Sequence, residues 1–182
     1  HLTTDAIICA VRPHGEAGAI VRVLTQHHGL IAGFVRGGRS RTMRPVLQPG
    51  NVVKAELRAR VEGQMPSLTV EAVHSRALLM GEPLAADAIS WVSALAASAL
   101  PERHPYPDIH DGLNGVLMAI EAAPSARGWV PGLVAYEGRI LSALGYGGVL
   151  PEALESTGQQ RAEHGFCDHR ADVMAARSRL ID

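Results

Sequence analysis

Asn51-Val52-Val53-Lys54-Ala55-Glu56-Leu57-Arg58-Ala59-Arg60-Val61 decides the fold class of the amino-terminal half. Val53, Ala55, Leu57, Ala59 and Val61 alternate with Lys54, Glu56, Arg58 and Arg60. A strict period of two predicts a half-buried strand over 51–61, one face on a core and one in water. On the carboxy-terminal side, Ser67 to His74 repeats the pattern, with Leu68, Val70 and Ala72 inward. On the amino-terminal side, Thr4 to Val11, Ala19 to Thr25 and Leu30 to Arg36 are rich in Ile, Val, Leu and Thr. Turn signals separate them: Arg12-Pro13-His14-Gly15, His28-Gly29, Gln48-Pro49-Gly50 and Glu62-Gly63-Gln64-Met65-Pro66. Five short strands in about 75 residues suit a small closed barrel, since closure removes exposed edges.

Beyond residue 80 the period becomes helical. Leu84, Ala88, Trp91, Val92 and Leu95 form one stripe, opened by Pro83 and closed before Pro101. Ile109, Leu113, Val116, Leu117 and Ile120 form a second, stopped before Pro124. Trp129, Leu133, Tyr136, Ile140 and Leu144 form a third, stopped by Gly145. Glu152 to Gly165 reads as a weaker polar helix and Ala171 to Ile181 as a last one. The expectation is a two-domain α+β chain: a five-stranded barrel over residues 1–78, then an α-helical domain over residues 79–182.

Composition fits this reading. The chain has 182 residues, 47% of them apolar and 19% charged, as a folded globular chain requires. Leu84 to Leu100 is the nearest thing to a membrane span, and it is too short and carries Asp87. His1 to Asp5 lacks a basic region followed by an apolar core, so no signal peptide is expected. Two cysteines, Cys9 and Cys167, cannot build a disulfide framework, and a cytoplasmic setting follows.

The net charge of −1 conceals a split. Residues 1–80 hold ten basic and five acidic residues, a balance of +5. Residues 81–182 hold seven against thirteen, a balance of −6. No acid occurs between Ala17 and Ala55, yet that window carries Arg22, Arg36, Arg39, Arg41, Arg44 and Lys54. Such asymmetry points to a polyanion partner for the basic half.

The sharpest chemical feature is Arg36-Gly37-Gly38-Arg39-Ser40-Arg41-Thr42-Met43-Arg44-Pro45, on the connection between the third and fourth strands. Glycines let a backbone approach a ligand closely, and guanidinium groups pair bidentately with phosphate oxygens. With Arg12 and Lys54 these arginines make a candidate nucleic-acid groove on the barrel; the alternative is a solvated loop. Phe34 is the single Phe, Tyr or Trp of the first 80 residues. Little base stacking is therefore expected, and binding should run through phosphates, tolerant of sequence and sensitive to salt.

Other constellations are weaker. His164, Cys167 and His169 lie near Asp168 and Asp172, but one cysteine without paired spacing does not make a zinc site, so no metal is expected. His27-His28 reads as an exposed turn and Cys9 as a small core residue. No G-x-S-x-G, P-loop, G-x-G-x-x-G or H-E-x-x-H occurs. Acids are too scarce in the barrel for a two-metal nuclease site. No enzyme and no cofactor are expected.

In the order and spacing of several short motifs the chain resembles the RecO family of bacterial recombination mediators. These are Thr4-Asp5-Ala6-Ile7-Ile8, Arg12-Pro13-His14-Gly15-Glu16, Leu24-Thr25 with His28-Gly29-Leu30, Arg36-Gly37-Gly38-Arg39-Ser40 and Leu47-Gln48-Pro49-Gly50. Tyr136-Glu137 with Leu141 and Leu144-Gly145-Tyr146-Gly147 follow in the helical half. The resemblance covers about residues 1–147, and Arg170 to Leu180 looks like the family's last helix. It implies an OB-type barrel, binding of single- and double-stranded DNA, and annealing of complementary strands. It also implies RecR and the acidic tail of single-strand-binding protein as partners in loading recombinase.

Two departures stand out. Family members continue after the Leu-Gly-Tyr-Gly stretch with a further segment, sometimes bearing a zinc-like Cys cluster. Here Gly147-Gly148 runs into Val149-Leu150-Pro151, so the resemblance implies a deletion or an omitted segment between Gly148 and Val149, with omission favoured. Many members also carry Arg before the aromatic-Glu pair, where this chain has Ala135. Arg139, one turn later, is then the candidate cation for a tail carboxylate, with Arg127 or Arg177, and Tyr136 is expected near the pocket wall. A different class of function, a regulatory module whose basic barrel binds an acidic protein, and a hydrolase with an unrecognised site are the alternatives.

Overall fold

A computed structural model describes residues 1–59, 63–123 and 125–146. Five strands come first: β1 (Leu2–His14), β2 (Gly18–Thr25), β3 (Gly29–Val35), β4 (Val52–Arg58) and β5 (Ser67–His74). They close into a barrel in the order β1-β2-β3-β5-β4. All pairings are antiparallel except β3 with β5, which run parallel and meet at Phe34 and Ser67. A five-stranded barrel of this order is the OB type. Three α-helices follow: α1 (Pro83–Ala99), α2 (Pro107–Ala122) and α3 (Val130–Ala143). Each has proline in its first turn, where a missing N–H costs nothing.

Several elements differ from the sequence expectation, each for a physical reason. β1 runs through Pro13 and His14, which pair with Ala19 and Gly18, and the turn is Gly15 to Ala17. Proline is tolerated because β4 pairs only with Leu2 to Ile7, so Pro13 has one sheet neighbour. β4 stops at Arg58 instead of Val61. Its ladder with β5 ends at the Arg58–Ser67 pair, where the Ser67 hydroxyl donates to the Arg58 carbonyl at 3.1 Å. Along β5 burial fades after Leu68, and Ala72 is exposed.

Two apolar cores share β1. Ala6, Ile8, Val21, Val23, Ile31, Val53, Ala55, Leu57 and Leu68 fill the barrel. Ile7, Cys9, Leu24 and Leu30 lie on the other face and join the core of the helices. A bulge between Ile8 and Ala10 lets Cys9 and Ala10 both face the helices. Against the barrel, α1 buries Ala88, Ile89, Val92, Ser93 and Ala96, while Leu84, expected inside, is 59% exposed. Small residues win here because the helix comes close to the barrel. A Cβ on Gly50, which has a φ of 84°, would sit 2.6 Å from Ile89 Cγ2. In α2 the buried residues are the expected stripe plus Gly112. Barrel and helices through Ala143 thus belong to one compact unit. The helices expected over 152–165 and 171–181, and the junction at Gly148, lie outside the described residues.

Candidate nucleic-acid interface

Residues 36–51, between β3 and β4, fold into successive turns on one end of the barrel. Ser40 N–H donates to the Gly37 carbonyl at 2.9 Å, Arg44 N–H to Ser40 at 3.1 Å and Leu47 N–H to Met43 at 2.8 Å. The Ser40 hydroxyl accepts from Met43 N–H at 3.3 Å. Leu47 drops into the barrel core, flanked by Met43 and Val46. Gly38 allows the close approach, since a Cβ there would lie 2.8 Å from Ala19 Cβ. Asn51, buried, closes the far end by donating to the Pro45 and Val46 carbonyls and accepting from Arg76 N–H. The loop is therefore a shelf fixed by apolar and backbone contacts, with its cations left outside.

Arg36, Arg39, Arg41 and Arg44 are all exposed on that shelf. Arg39 ties it to the β1–β2 turn: its N–H donates to Ala17 and its guanidinium to the Glu16 carbonyl, both at 3.1 Å. Arg39 and Arg44 line a groove of about 320 Å³ with Val11, Pro13, Ala19 and Gln48. Arg12, between Val11 and Pro13, projects from the opposite face of β1 and is also exposed. Lys54 is not with this group. It pairs across the sheet with Asp5 on β1 and Glu71 on β5, so two carboxylates flank it.

Other basic residues of the first half are engaged internally. Arg22 donates to the Ala97 carbonyl and to Glu102, both at 2.6 Å, fastening β2 to the end of α1. Arg76 is buried; it donates to the Gly50 carbonyl at 2.6 Å and its Nε lies 3.3 Å from Glu121. Burial pulls its pKa down and Glu121 opposes that. Charge counting could not separate these structural arginines from the exposed ones.

The residues expected at a partner pocket are dispersed. Tyr136 is 1% exposed and its hydroxyl donates to the Val92 carbonyl at 3.1 Å, so it belongs to the core and not to a pocket wall. Arg139 is exposed and lies across Gly112 of α2, where a Cβ would be 3.0 Å from its Nη1. Arg127 sits in a 3-10 turn before α3, whereas Arg139 lies in the second half of that helix. Arg177 lies outside the described residues, as do His164, Cys167 and His169. Among the described residues no group of three or more His, Cys, Asp or Glu is arranged to hold a metal, and no helix is long and apolar enough to cross a membrane.

Comparison with known proteins finds a family model for each half of the chain. The family model described as Recombination protein O N terminal matches residues 1–76, and that described as Recombination protein O C terminal matches residues 81–156. DNA repair protein RecO of Phenylobacterium zucineum is 44% identical over 148 residues, 79% of this chain and 58% of that protein. The RecO proteins of Dinoroseobacter shibae and Gluconacetobacter diazotrophicus are 40% and 39% identical, covering 79% and 78% of this chain and 58% and 57% of theirs. The chain thus spans somewhat over half the length of these relatives. Two matching family models in chain order, an OB-type barrel joined to helices, and identities near 40% lead to one conclusion: the chain belongs to the RecO family.

Proposed function

We propose that this chain is a non-catalytic DNA-binding and annealing module of a recombination mediator. The observation that carries the reading is the ordered shelf of residues 36–51. It exposes four guanidinium groups at a barrel end and is held mainly by its apolar residues and backbone, with Arg39 alone of the four bonded to the β1–β2 turn. Neutralising phosphates on two strands at once lowers their repulsion, which speeds pairing and needs no active site. Single and double strands both present the required phosphates. On family membership alone we further propose RecR and the acidic tail of single-strand-binding protein as protein partners, with recombinase loading as the outcome. Arg139, on the α2–α3 surface, is the proposed contact for the tail carboxylate.

The test is a DNA titration at several salt concentrations. Log affinity should fall linearly with log salt, by about 0.9 per phosphate neutralised on duplex DNA and about 0.7 on single strands. A barrel that ignores DNA at low salt would leave binding of an acidic protein as the better reading. For the tail, Arg139→Ala should weaken a tail peptide while DNA affinity holds. Equal peptide binding by both proteins would move the partner site elsewhere.

A further inference from the structure

The outward face of β1, β2 and β3 carries more than charge. Arg12 on β1 pairs with Ile20 on β2, which pairs with Phe34 on β3, so these three lie in one row across the sheet. His14 is two residues beyond Arg12 on the same face of β1 and pairs with Gly18. Arg36 is two residues beyond Phe34. Gly18 lies between the two outer strands, and the Phe34 ring occupies the space where its Cβ would be. The missing side chain lets the His14 and Phe34 rings meet, with centroids 5.9 Å apart and planes at 79°. Histidine thus supplies the second ring that a count of Phe, Tyr and Trp leaves out.

The corner is fixed on one side and open on the other. Phe34 stands at the pair that closes the barrel, and its N–H donates to the Pro66 carbonyl at 2.9 Å. It is half-buried, whereas His14 is exposed. Edge-to-face contact sets the histidine ring at a defined angle. A flat aromatic group could lie on one ring with its edge toward the other. Arg12, in the same row, and Arg36, two residues beyond Phe34, can hold phosphates near the corner, while Arg39 and Arg44 line the groove on the other face of β1. The opposite outer face of the barrel is different in kind: Asp5, Lys54 and Glu71 form one row, and Thr3, Glu56 and Thr69 the next. Its carboxylates disfavour a phosphate chain there.

We propose that His14 and Phe34 form a base-stacking subsite on the β1–β2–β3 face, which gives the arginine surface a preference for unpaired bases over duplex. This rests on the nucleic-acid reading above. Stacking on an aromatic ring tolerates any base and requires that the base be free of its partner strand.

The experiment compares a short single-stranded oligonucleotide with an abasic oligomer of the same length and phosphate number. It uses the whole chain, His14→Ala, Phe34→Leu and the quadruple variant of Arg36, Arg39, Arg41 and Arg44 to Ala. Phe34→Leu keeps apolar volume over Gly18; His14→Ala leaves Phe34 in place and carries the test if the leucine variant unfolds. Wild type should bind the normal oligomer more tightly than the abasic one. Each ring variant should lose about tenfold on the normal oligomer, the scale of one stacked base, with abasic affinity and salt slope unchanged. Equal binding of both oligomers by wild type would overturn the proposal, as would ring variants that retain normal affinity or weaken on both probes alike. The parent reading fails separately, if the quadruple variant binds both oligomers as wild type does.

Discussion

Among the described residues, burial shifts the proton equilibria of Tyr136 and Cys9 as well as of Arg76. Tyr136→Phe removes a hydroxyl that donates to the Val92 carbonyl within the core. A loss of about 1 kcal/mol is expected from chemical denaturation, the net value of one such bond. Cys9 is fully buried, and desolvation pushes its thiol from the ordinary 9.0 up to about 12. Between those values the unfolded chain has released the proton and the folded chain has kept it. Stability from this group is therefore whole below pH 9 and falls as pH rises toward 12. Denaturation curves at neutral pH and at pH values above 9 should show the decline, and Cys9→Ala should flatten it. Burial raises the Tyr136 pKa as well, so part of the alkaline loss should survive in that variant.

At the scale of the element, the 36–51 shelf separates what holds it from what it offers. Leu47→Ala empties a buried position in the barrel core. It should cost about 2–5 kcal/mol, the range for such truncations, and should weaken DNA binding by loosening the arginines. Changing Arg36, Arg39, Arg41 and Arg44 together to Ala should leave the melting temperature nearly unchanged. It should lower the salt slope by about one for each phosphate that the variant no longer neutralises. A folded quadruple variant with wild-type affinity and slope would dismiss the shelf as the DNA site. Four arginines beside glycine were legible as a cationic connection from their spacing. That they sit on a folded shelf was not, because Leu47 and Asn51 reach partners distant in the chain.

For the whole molecule the consequence lies in the shared core. Residues 1–78 contain all five strands, but the outer face of β1 and β2 is apolar at Ile7, Cys9 and Leu24. Cut away from α1 and α2, that face would meet water, together with Leu30. Expressed alone, residues 1–78 should therefore be unstable or self-associating. Amide exchange or circular dichroism should show far less protection than in the longer chain. A monomeric, cooperatively melting fragment would show that the helices are dispensable to the barrel. Gly50→Ala probes the same seam in the intact chain, at a positive φ and within 2.6 Å of Ile89.

The amino-acid sequence alone determined the elements that depend on near neighbours. Alternation in Lys54 to Arg58 specified a strand, because a period of two needs only the pleat. Ile109 to Ile120 specified a helix face, because its burial follows from a period of 3.6. Charge separation between the halves was also plain in the sequence. The tertiary structure decided which apolar residues face which core. Ala6-Ile7-Ile8-Cys9 is a run without alternation, the signature of a strand covered on both sides, and only the docked helices say what covers the second side. It also decided which cations are free. Arg22 and Arg76 differ from Arg41 and Arg44 in what the fold brings to them from tens of residues away. The His14–Phe34 corner belongs to the same class, since strand register and the bare Gly18 between them set two rings 20 residues apart against each other.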